Sequence, residues 1–310
     1  MAIAEISAET RVVGIGAPTA RHITNRLFGE LRSTRGNSPL LAVTTPLADV
    51  TEALNAYQPE AVITYPSFIR RLAEEQEAGR LRIKPRKFLS VAETLAQDVR
   101  DLVHDTWEAK VLNSYGATEA GVIGQECPWA MGVHICEDLL ILEVVDDDYR
   151  PVPPGVAGRK LLLTNLFNRA LPLIRYEISD LVTLAEGPCQ CGRPHLRLAS
   201  IQGRREEVLR LPARNGGHVE VHAGRLGGTL LRMAGIRQYQ LIPSPPSGLM
   251  ARVVLRDPSQ AERILPSAHH ALKAELEQAG VALDVVQVDA VDEIGRVGTG
   301  AKQKVVNASG

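Results

Sequence analysis

The first third of the chain alternates short apolar runs with amphipathic helical patterns, and this alternation constrains the fold more than any other feature. Strands that each lead into a helix predict a parallel sheet covered by helices, because neighbouring parallel strands need a crossover connection. The four units are "RVVGIG" with "ARHITNRLFGELRS", "SPLLAVTT" with "LADVTEALNAY", "AVITYP" with "FIRRLAEEQEAG", and "RKFLSVAE" with "AQDVRDLVHDTWEA".

From about Val133 the pattern changes to strands joined by turns that carry Pro-Gly signals, which predicts an antiparallel region. Near Arg204 a Gly- and Arg-rich connection precedes a strand pair, an amphipathic helix and a last strand. We therefore expect an α/β fold class with two domains. Residues 1–203 would form a core domain of a parallel α/β layer plus antiparallel strands, and residues 204–310 a small, mobile α+β domain.

Charge and hydropathy exclude several classes of function. The 310 residues carry a formal net charge of -1 and 23% charged residues, so no basic excess exists for a nucleic-acid backbone. No apolar run approaches membrane-spanning length, and the first residues are acidic where a signal peptide would be basic. We expect a cytoplasmic protein with no nucleic-acid or membrane partner, whose four cysteines are reduced.

The stretch "NSYGATEAG" follows a short apolar strand at residues 113–121. Such junctions are where α/β proteins bind ligands. Gly116 and Gly121 allow close approach of the backbone, Thr118 offers a hydroxyl, and Glu119 offers a carboxylate suited to Mg²⁺. The stretch predicts a phosphate and metal site, with a plain turn as the alternative.

Four motifs occur in one order along the chain: "NSYGATEAG", "TNLFNRALPLIRYEISD", "IQGRREEV" and "GRVGTGAKQKVV". Together they resemble the adenylate-forming (acyl-CoA synthetase) superfamily, and specifically its phenylacetate-CoA ligase-like branch. The segments "NAYQPEAVITYPSFIRRLAEEQEAGRLRI" and "CQCGRPHLRLASIQGR" extend this resemblance over nearly the whole chain. The resemblance implies an enzyme in which an aromatic or other organic acid attacks ATP to give an acyl-adenylate. A thiol, usually of coenzyme A, then displaces AMP.

The resemblance also implies roles for residues of the nucleotide site. Tyr115 would lie along the adenine beside Gly116, and Thr118 would hydrogen-bond the α-phosphate. Glu119 would hold Mg²⁺. Asp180 would accept hydrogen bonds from the ribose hydroxyls, although a turn residue is the alternative.

Four further residues receive roles from the same resemblance. Glu93 belongs to "SVAE", which stands where the family has a glycine-rich turn that contacts adenine. Arg204 matches a hinge arginine that reaches the nucleotide, and Tyr65 would line part of the acyl pocket. Lys302 best matches the lysine that bridges carboxylate and α-phosphate during adenylation, with Lys304 as the alternative.

One family feature is missing from these residues: a Ser/Thr/Gly-rich loop of the "SSGTTG" kind that cradles the β- and γ-phosphates. From this resemblance we expect the chain to begin after roughly the first third of a usual N-terminal domain. Besides an acid-thiol ligase, we consider a non-catalytic nucleotide binder, and a split enzyme whose phosphate loop lies on a separate polypeptide. Adenylation of a hydroxyl, as in a deazaflavin-modifying synthetase of this branch, is a third alternative. The resemblance also implies that the protein could form a homodimer.

The cysteines form a second constellation. Cys127 and His134 are spaced C-x6-H, and Cys189 and Cys191 occupy a Pro-Cys-Gln-Cys-Gly turn. Three cysteines and one histidine are a ligand set typical of structural zinc, and similar segments occur in phenylacetate-CoA ligase-like proteins. The alternative is ordinary reduced thiols in turns. Cys136 is left over, in a strand phase that predicts simple burial.

Overall fold

A computed structural model describes residues 6–302 except residue 8, 18–37, 130, 232, 234, 245–246, 295 and 298–300. The chain divides into two compact units, Met1–Ile201 and Gln202–Gly310. The predicted helix "ARHITNRLFGELRS" and the alternative lysine, Lys304, lie outside the described residues.

The first unit is built on a nine-stranded sheet of order β11-β12-β7-β6-β5-β4-β3-β1-β2. Strands β1 to β5 are parallel to their neighbours, as the strand-helix alternation predicts. Pairing becomes antiparallel at β5 with β6 and stays so through β7 and β12. The strands of this sheet are β1 (Val12–Gly16), β2 (Leu40–Ala42), β3 (Ala61–Thr64), β4 (Lys87–Val91), β5 (Lys110–Ala117), β6 (Gly121–Glu126), β7 (Val133–Ile135), β11 (Asp180–Leu184) and β12 (Arg197–Arg204).

Three helices follow the parallel strands: α1 (Leu47–Tyr57), α2 (Pro66–Glu77) and α3 (Gln97–Trp107). Each buries one apolar face, and these faces meet side chains of β1, β3, β4 and β5 in one hydrophobic core. Pro66 is the first residue of α2. Backbone N–H groups in the first turn have no partner within the helix, so a proline there costs no hydrogen bond. Arg70 of α2 pairs with Asp98 of α3, which fixes the two helices against each other.

A second, three-stranded antiparallel sheet of order β10-β9-β8 belongs to the same unit. Its strands are β8 (Leu140–Val145), β9 (Lys160–Asn165) and β10 (Tyr176–Ile178). Apolar side chains of β8 and β9 share a core with side chains of β5, β6 and β7. The small sheet therefore packs on the antiparallel half of the large one.

The second unit has the predicted strand pair, helix and strand: β15 (Ile236–Ser244), β16 (Gly248–Leu255), α5 (Ala261–Gln278) and β17 (Val285–Ala290). The connection before them is more regular than expected, because it contains a hairpin of β13 (Val208–Pro212) and β14 (His218–His222), and then helix α4 (Ala223–Leu231). Gly216 and Gly217 turn this hairpin with positive φ. Two short paired strands follow, β18 (Arg296–Val297) and β19 (Ala301–Lys302).

The described helices include none that combines the length and the apolar character needed to cross a membrane.

Candidate functional site

The carboxyl ends of β3, β4 and β5 meet at one edge of the large sheet, because the three strands are parallel and in register. Thr64 pairs with Ser90, and Val91 pairs with Ser114. Tyr65, Glu93 and Tyr115 therefore follow one another along this edge. In open α/β sheets ligands bind outside the carboxyl ends of the strands.

The Thr118–Glu119 turn connects β5 to β6 at this edge. Both side chains are exposed, whereas Ala120 beside them is buried. Gly116 faces the backbone of Gly121 so closely that an added Cβ would lie 2.6 Å from the Gly121 carbonyl oxygen. The glycines thus allow the two strands to close into a tight turn, which presents a hydroxyl and a carboxylate to solvent.

Tyr115 and Asp180 are joined directly. The Tyr115 ring lies in the core between the two sheets, and its hydroxyl donates a 2.6 Å hydrogen bond to Asp180 Oδ2. A hydrogen bond to a charged group typically contributes about 1.5–3 kcal/mol to the stability of the folded state. Two residues that the sequence predicts for one site, 65 positions apart, are therefore brought together.

Glu93 binds the amino-terminal end of α2. Its Oε2 accepts from the Ser67 backbone N–H at 3.0 Å and its Oε1 from the Ser67 hydroxyl at 2.9 Å. A carboxylate in the first turn of a helix satisfies an otherwise unpaired N–H group. Tyr65 immediately precedes this helix and is half-buried. Sequence reasoning did not predict the bond between Glu93 and Ser67.

Arg204 and Lys302 belong to the second unit. Arg204 is the last residue of β12, is exposed, and precedes a 3-10 turn at Arg205–Glu207. Lys302 ends β19, where it pairs with Arg296. The backbone alone is described at residue 302.

Cys127, His134, Cys189 and Cys191 form a compact cluster. Their ligand atoms all lie within 4.8 Å of one another. The Sγ atoms of Cys127 and Cys189 are 3.7 Å apart, and Cys191 Sγ is 3.4 Å from His134 Nε2. Sulfurs bound tetrahedrally at about 2.3 Å from one metal would be about 3.8 Å apart. The cluster thus fits a four-coordinate metal ion in both donor type and spacing.

The local environment gives the donors unequal proton affinities. Burial raises the pKa of Cys127 to about 11. Burial also opposes ionisation of Cys191, but hydrogen bonds from the Arg193 backbone, from the neighbouring thiols and from the Arg193 side chain bring its pKa to about 7. Burial, and then the charge of Arg197, lower the pKa of His134, which favours the neutral imidazole that metals bind. The fourth cysteine, Cys136, has a raised pKa because of burial and the charge of Asp138.

Two arginines near these residues, the half-buried Arg100 and the buried Arg197, are not indicated by the sequence patterns. Arg100 donates to both oxygens of Glu126 at 2.8 and 3.0 Å, and Glu126 also accepts from the Asn113 N–H. This pair holds the strand that enters the Thr118–Glu119 turn. Arg197 donates to backbone carbonyls on both sides of the cysteine cluster. Their partners lie 26 and 66 positions away, which no local pattern indicates.

Comparison with known proteins shows what the sequence around this site is similar to. Residues 15–163 match the family model for AMP-binding enzymes. The phenylacetate-coenzyme A ligase of Thermus thermophilus is 35% identical over 164 residues, which is 49% of this chain and 36% of that protein. The phenylacetate-coenzyme A ligase of Escherichia coli is 30% identical over 168 residues, 51% of this chain and 37% of that protein. The chain thus spans just over a third of these relatives.

Solved structures share the fold over almost all of the chain. A 2-hydroxyisobutyryl-CoA ligase in complex with 2-HIB-AMP has a TM-score of 0.79 at 20% identity, covering 98% of this chain and 66% of the other. The anthranilate CoA ligase AuaEII in complex with anthranoyl-AMP has a TM-score of 0.73 at 14% identity, covering 97% and 58%. The α/β fold expected from the sequence is confirmed, and these two ligases share it.

The cysteine cluster depends on close packing at Gly132, which yields a testable prediction. A Cβ at residue 132 would lie 2.2 Å from the Leu198 carbonyl oxygen, and the φ there is +105°. We expect Gly132→Ala to lower the free energy of unfolding in urea by about 1–3 kcal/mol more than Gly187→Ala, because overpacking adds to backbone strain. Gly187 is the matched control, since it has φ +63° and no atom within 4 Å of an added Cβ. Equal losses in the two variants would contradict the close packing.

Proposed function

Because residues 15–163 match the family model for AMP-binding enzymes and the similar proteins include phenylacetate-coenzyme A ligases, we propose that this chain takes part in AMP-forming activation of an organic acid. The acid would become an acyl-adenylate, and a thiol, coenzyme A in the first instance, would then displace AMP. The observation that carries this proposal is the hydrogen bond between Tyr115 and Asp180 at the edge of the sheet that presents Thr118 and Glu119. These residues offer groups for ribose and α-phosphate.

Each part of the nucleotide has a proposed partner. Asp180 accepts from the ribose hydroxyls, in an orientation held by Tyr115 at Oδ2. Thr118 donates to the α-phosphate, and Gly116 allows the backbone to approach it closely. Tyr115 is 9% exposed, so we propose that it offers the adenine an edge of its ring and acts mainly through Asp180. Glu93 shapes the adenine side of the site through its bonds to the start of α2.

The chemistry of adenylation requires that negative charge be offset at the α-phosphate. We propose that Glu119, exposed at the tip of its turn, holds Mg²⁺. A bound Mg²⁺ would neutralise phosphate charge. Lys302 would contribute a second positive charge during adenylation, and Arg204 would reach the nucleotide from the start of the second unit. Tyr65, directly before α2, would line part of the pocket for the acyl group.

A hinge between the two units is part of the proposal. The units meet between Ile201 and Gln202, and the following residues leave β12 for the 3-10 turn at Arg205–Glu207. We propose that the unit from Arg204 onward moves between adenylation and thiol transfer. Domain movements of this kind bring different groups to one active site in successive steps.

A second candidate function is that of a partner in a split enzyme, or a nucleotide binder without its own activity. No "SSGTTG"-type loop occurs in the 310 residues, and the chain covers 66% of a ligase structure that shares its fold. Twelve of the 13 large apolar side chains that are exposed among the described residues lie between residues 129 and 196. Exposed apolar side chains that lie together mark an interaction surface, and we propose that these side chains form one. We propose that it receives the polypeptide that carries the phosphate loop, with a second copy of the chain as the competing occupant.

Structural zinc is the third element of the proposal. Cys127, His134, Cys189 and Cys191 provide one imidazole and three thiols, a set that closes a tetrahedral zinc site to water. Such a site would tie the turn that bears Cys189 and Cys191 to the segment between β6 and β7. We propose a cytoplasmic location, where reduced thiols remain available for the metal.

The nucleotide proposal predicts binding of AMP by this chain alone. Because the proposed contacts to ribose and α-phosphate come from residues of the first unit, AMP should bind, and ATP should bind no more than a few times more tightly. Asp180→Ala should weaken AMP binding at least about tenfold, or about 1.4 kcal/mol, in titration calorimetry. Glu177→Ala is the matched control, because it removes an exposed carboxylate three positions away.

Activity assays separate the two candidate functions. Slow or absent acid-dependent release of pyrophosphate, restored by a polypeptide that carries the phosphate loop, would support the split enzyme. Rapid release by this chain alone would show that it is a complete catalyst. Indifference to AMP, ATP and acyl-adenylate analogues would contradict both and leave a scaffold without nucleotide binding.

The zinc proposal predicts about one zinc per chain in metal analysis of the purified protein. Cys127→Ser should lose the metal and lower the melting temperature, because the remaining ligands no longer close the site. Cys136→Ser is the matched control and should keep both, since Cys136 lies outside the cluster. A wild-type protein that contains no zinc and gains no stability when zinc is added would contradict the proposal.

A further inference from the structure

Arg197 is a buried cation without a carboxylate partner among the described residues. It is 8% exposed, and the bonds of its side chain all go to backbone carbonyl oxygens. Burying a charge costs several kcal/mol unless it is paired and hydrogen-bonded. An arginine in this position requires either a compensating negative charge nearby or a strong structural constraint.

The carbonyls that Arg197 binds belong to both ligand-bearing segments of the cysteine cluster. One guanidinium nitrogen donates to Met131 O at 2.7 Å, in the segment between Cys127 and His134. The second terminal nitrogen of the guanidinium donates to Glu186 O at 3.1 Å and to Gly187 O at 3.4 Å, just before the turn that carries Cys189 and Cys191. One planar side chain thus bridges the two segments.

The backbone of Arg197 makes a third connection to the cluster. Arg197 pairs in register with His134 across β12 and β7. Its own carbonyl accepts from the Ala185 N–H at 2.7 Å, directly after β11, the strand that leads to the cysteine turn. The position therefore contacts the histidine strand, the Cys127 segment and the Cys189 segment at once.

We propose that Arg197 is a positioning residue for the metal cluster: it holds the two ligand-bearing segments together, and its charge offsets the charge of the occupied site. This inference rests on the proposed zinc site. Three thiolates and one neutral imidazole around a divalent ion leave a net charge of one negative unit. The buried guanidinium of Arg197 offsets this charge from the side of the two backbone segments, and the side chain of Arg193 adds a second positive charge at Cys191. The occupied metal site in turn supplies the negative charge that compensates Arg197, since no carboxylate among the described residues pairs with it.

The test compares zinc affinity in wild type, Arg197→Lys and Arg197→Met, measured by competition with a chromophoric chelator. Residues that orient metal ligands typically contribute about 10- to 100-fold to affinity. We expect a loss in that range for Arg197→Met. The loss should be smaller for Arg197→Lys, because lysine keeps the charge but lacks the planar fork that reaches both segments. Arg150→Met is the control, since it removes an arginine whose side chain is 76% exposed.

A second readout separates positioning from simple structural support. Melting temperatures with and without zinc give the stabilisation that zinc provides, and this increment should shrink in both Arg197 variants. A variant that is destabilised equally with and without zinc, and that keeps wild-type zinc affinity, would overturn the inference while the zinc site stands. A wild-type protein that binds no zinc would overturn the zinc site and this inference together. If Arg197→Met does not fold, Arg197→Lys carries the same comparison.

Discussion

The hydrogen bond from the Tyr115 hydroxyl to Asp180 connects the core of the first unit to its candidate site. Tyr115 lies among the apolar side chains that the two sheets share, and its polar end reaches the carboxylate at the start of β11. A buried tyrosine hydroxyl needs a hydrogen-bond partner, so packing of the small sheet on the large one also fixes the direction of the carboxylate. The nucleotide binding proposed for Asp180 therefore depends on the same packing that stabilises the fold.

The cysteine cluster makes a comparable connection in the same unit. Its ligands come from the segment around β6 and β7 and from the turn before β12. Gly132 lets the first segment lie directly on β12, and Arg197 binds carbonyls of both. Because Cys127 immediately follows β6, which is hydrogen-bonded to β5, the cluster supports the strand pair that bears the Thr118–Glu119 turn.

Local patterns in the sequence account for much of this architecture. Strands that alternate with amphipathic helices predict the parallel layer, since burial on both faces requires apolar runs. The change to turn-linked strands predicts the antiparallel half. The sequence does not predict the hairpin of β13 and β14 or helix α4, because the many glycines and arginines there indicate an irregular connection, although Gly216 and Gly217 are suited to a hairpin turn.

Long-range contacts limited what could be predicted for the site. The motifs indicate Tyr115 and Asp180 separately, but their hydrogen bond depends on how two sheets pack. Likewise, nothing local to Arg197 or Glu93 indicates that the first binds carbonyls around the cysteines or that the second binds Ser67. The cysteine cluster could be predicted because three thiols and one imidazole form a ligand set typical of structural zinc, which is a more specific signal than their spacing alone.

A structure of this chain with a non-hydrolysable acyl-adenylate analogue tests the central claim most directly. The account predicts that a ribose hydroxyl lies within about 3 Å of the Asp180 carboxylate, with Tyr115 still bound to the other oxygen. The group that replaces the α-phosphate should lie at the Thr118 hydroxyl. An analogue bound elsewhere, or an empty edge beside β5 at saturating concentration, would contradict the account.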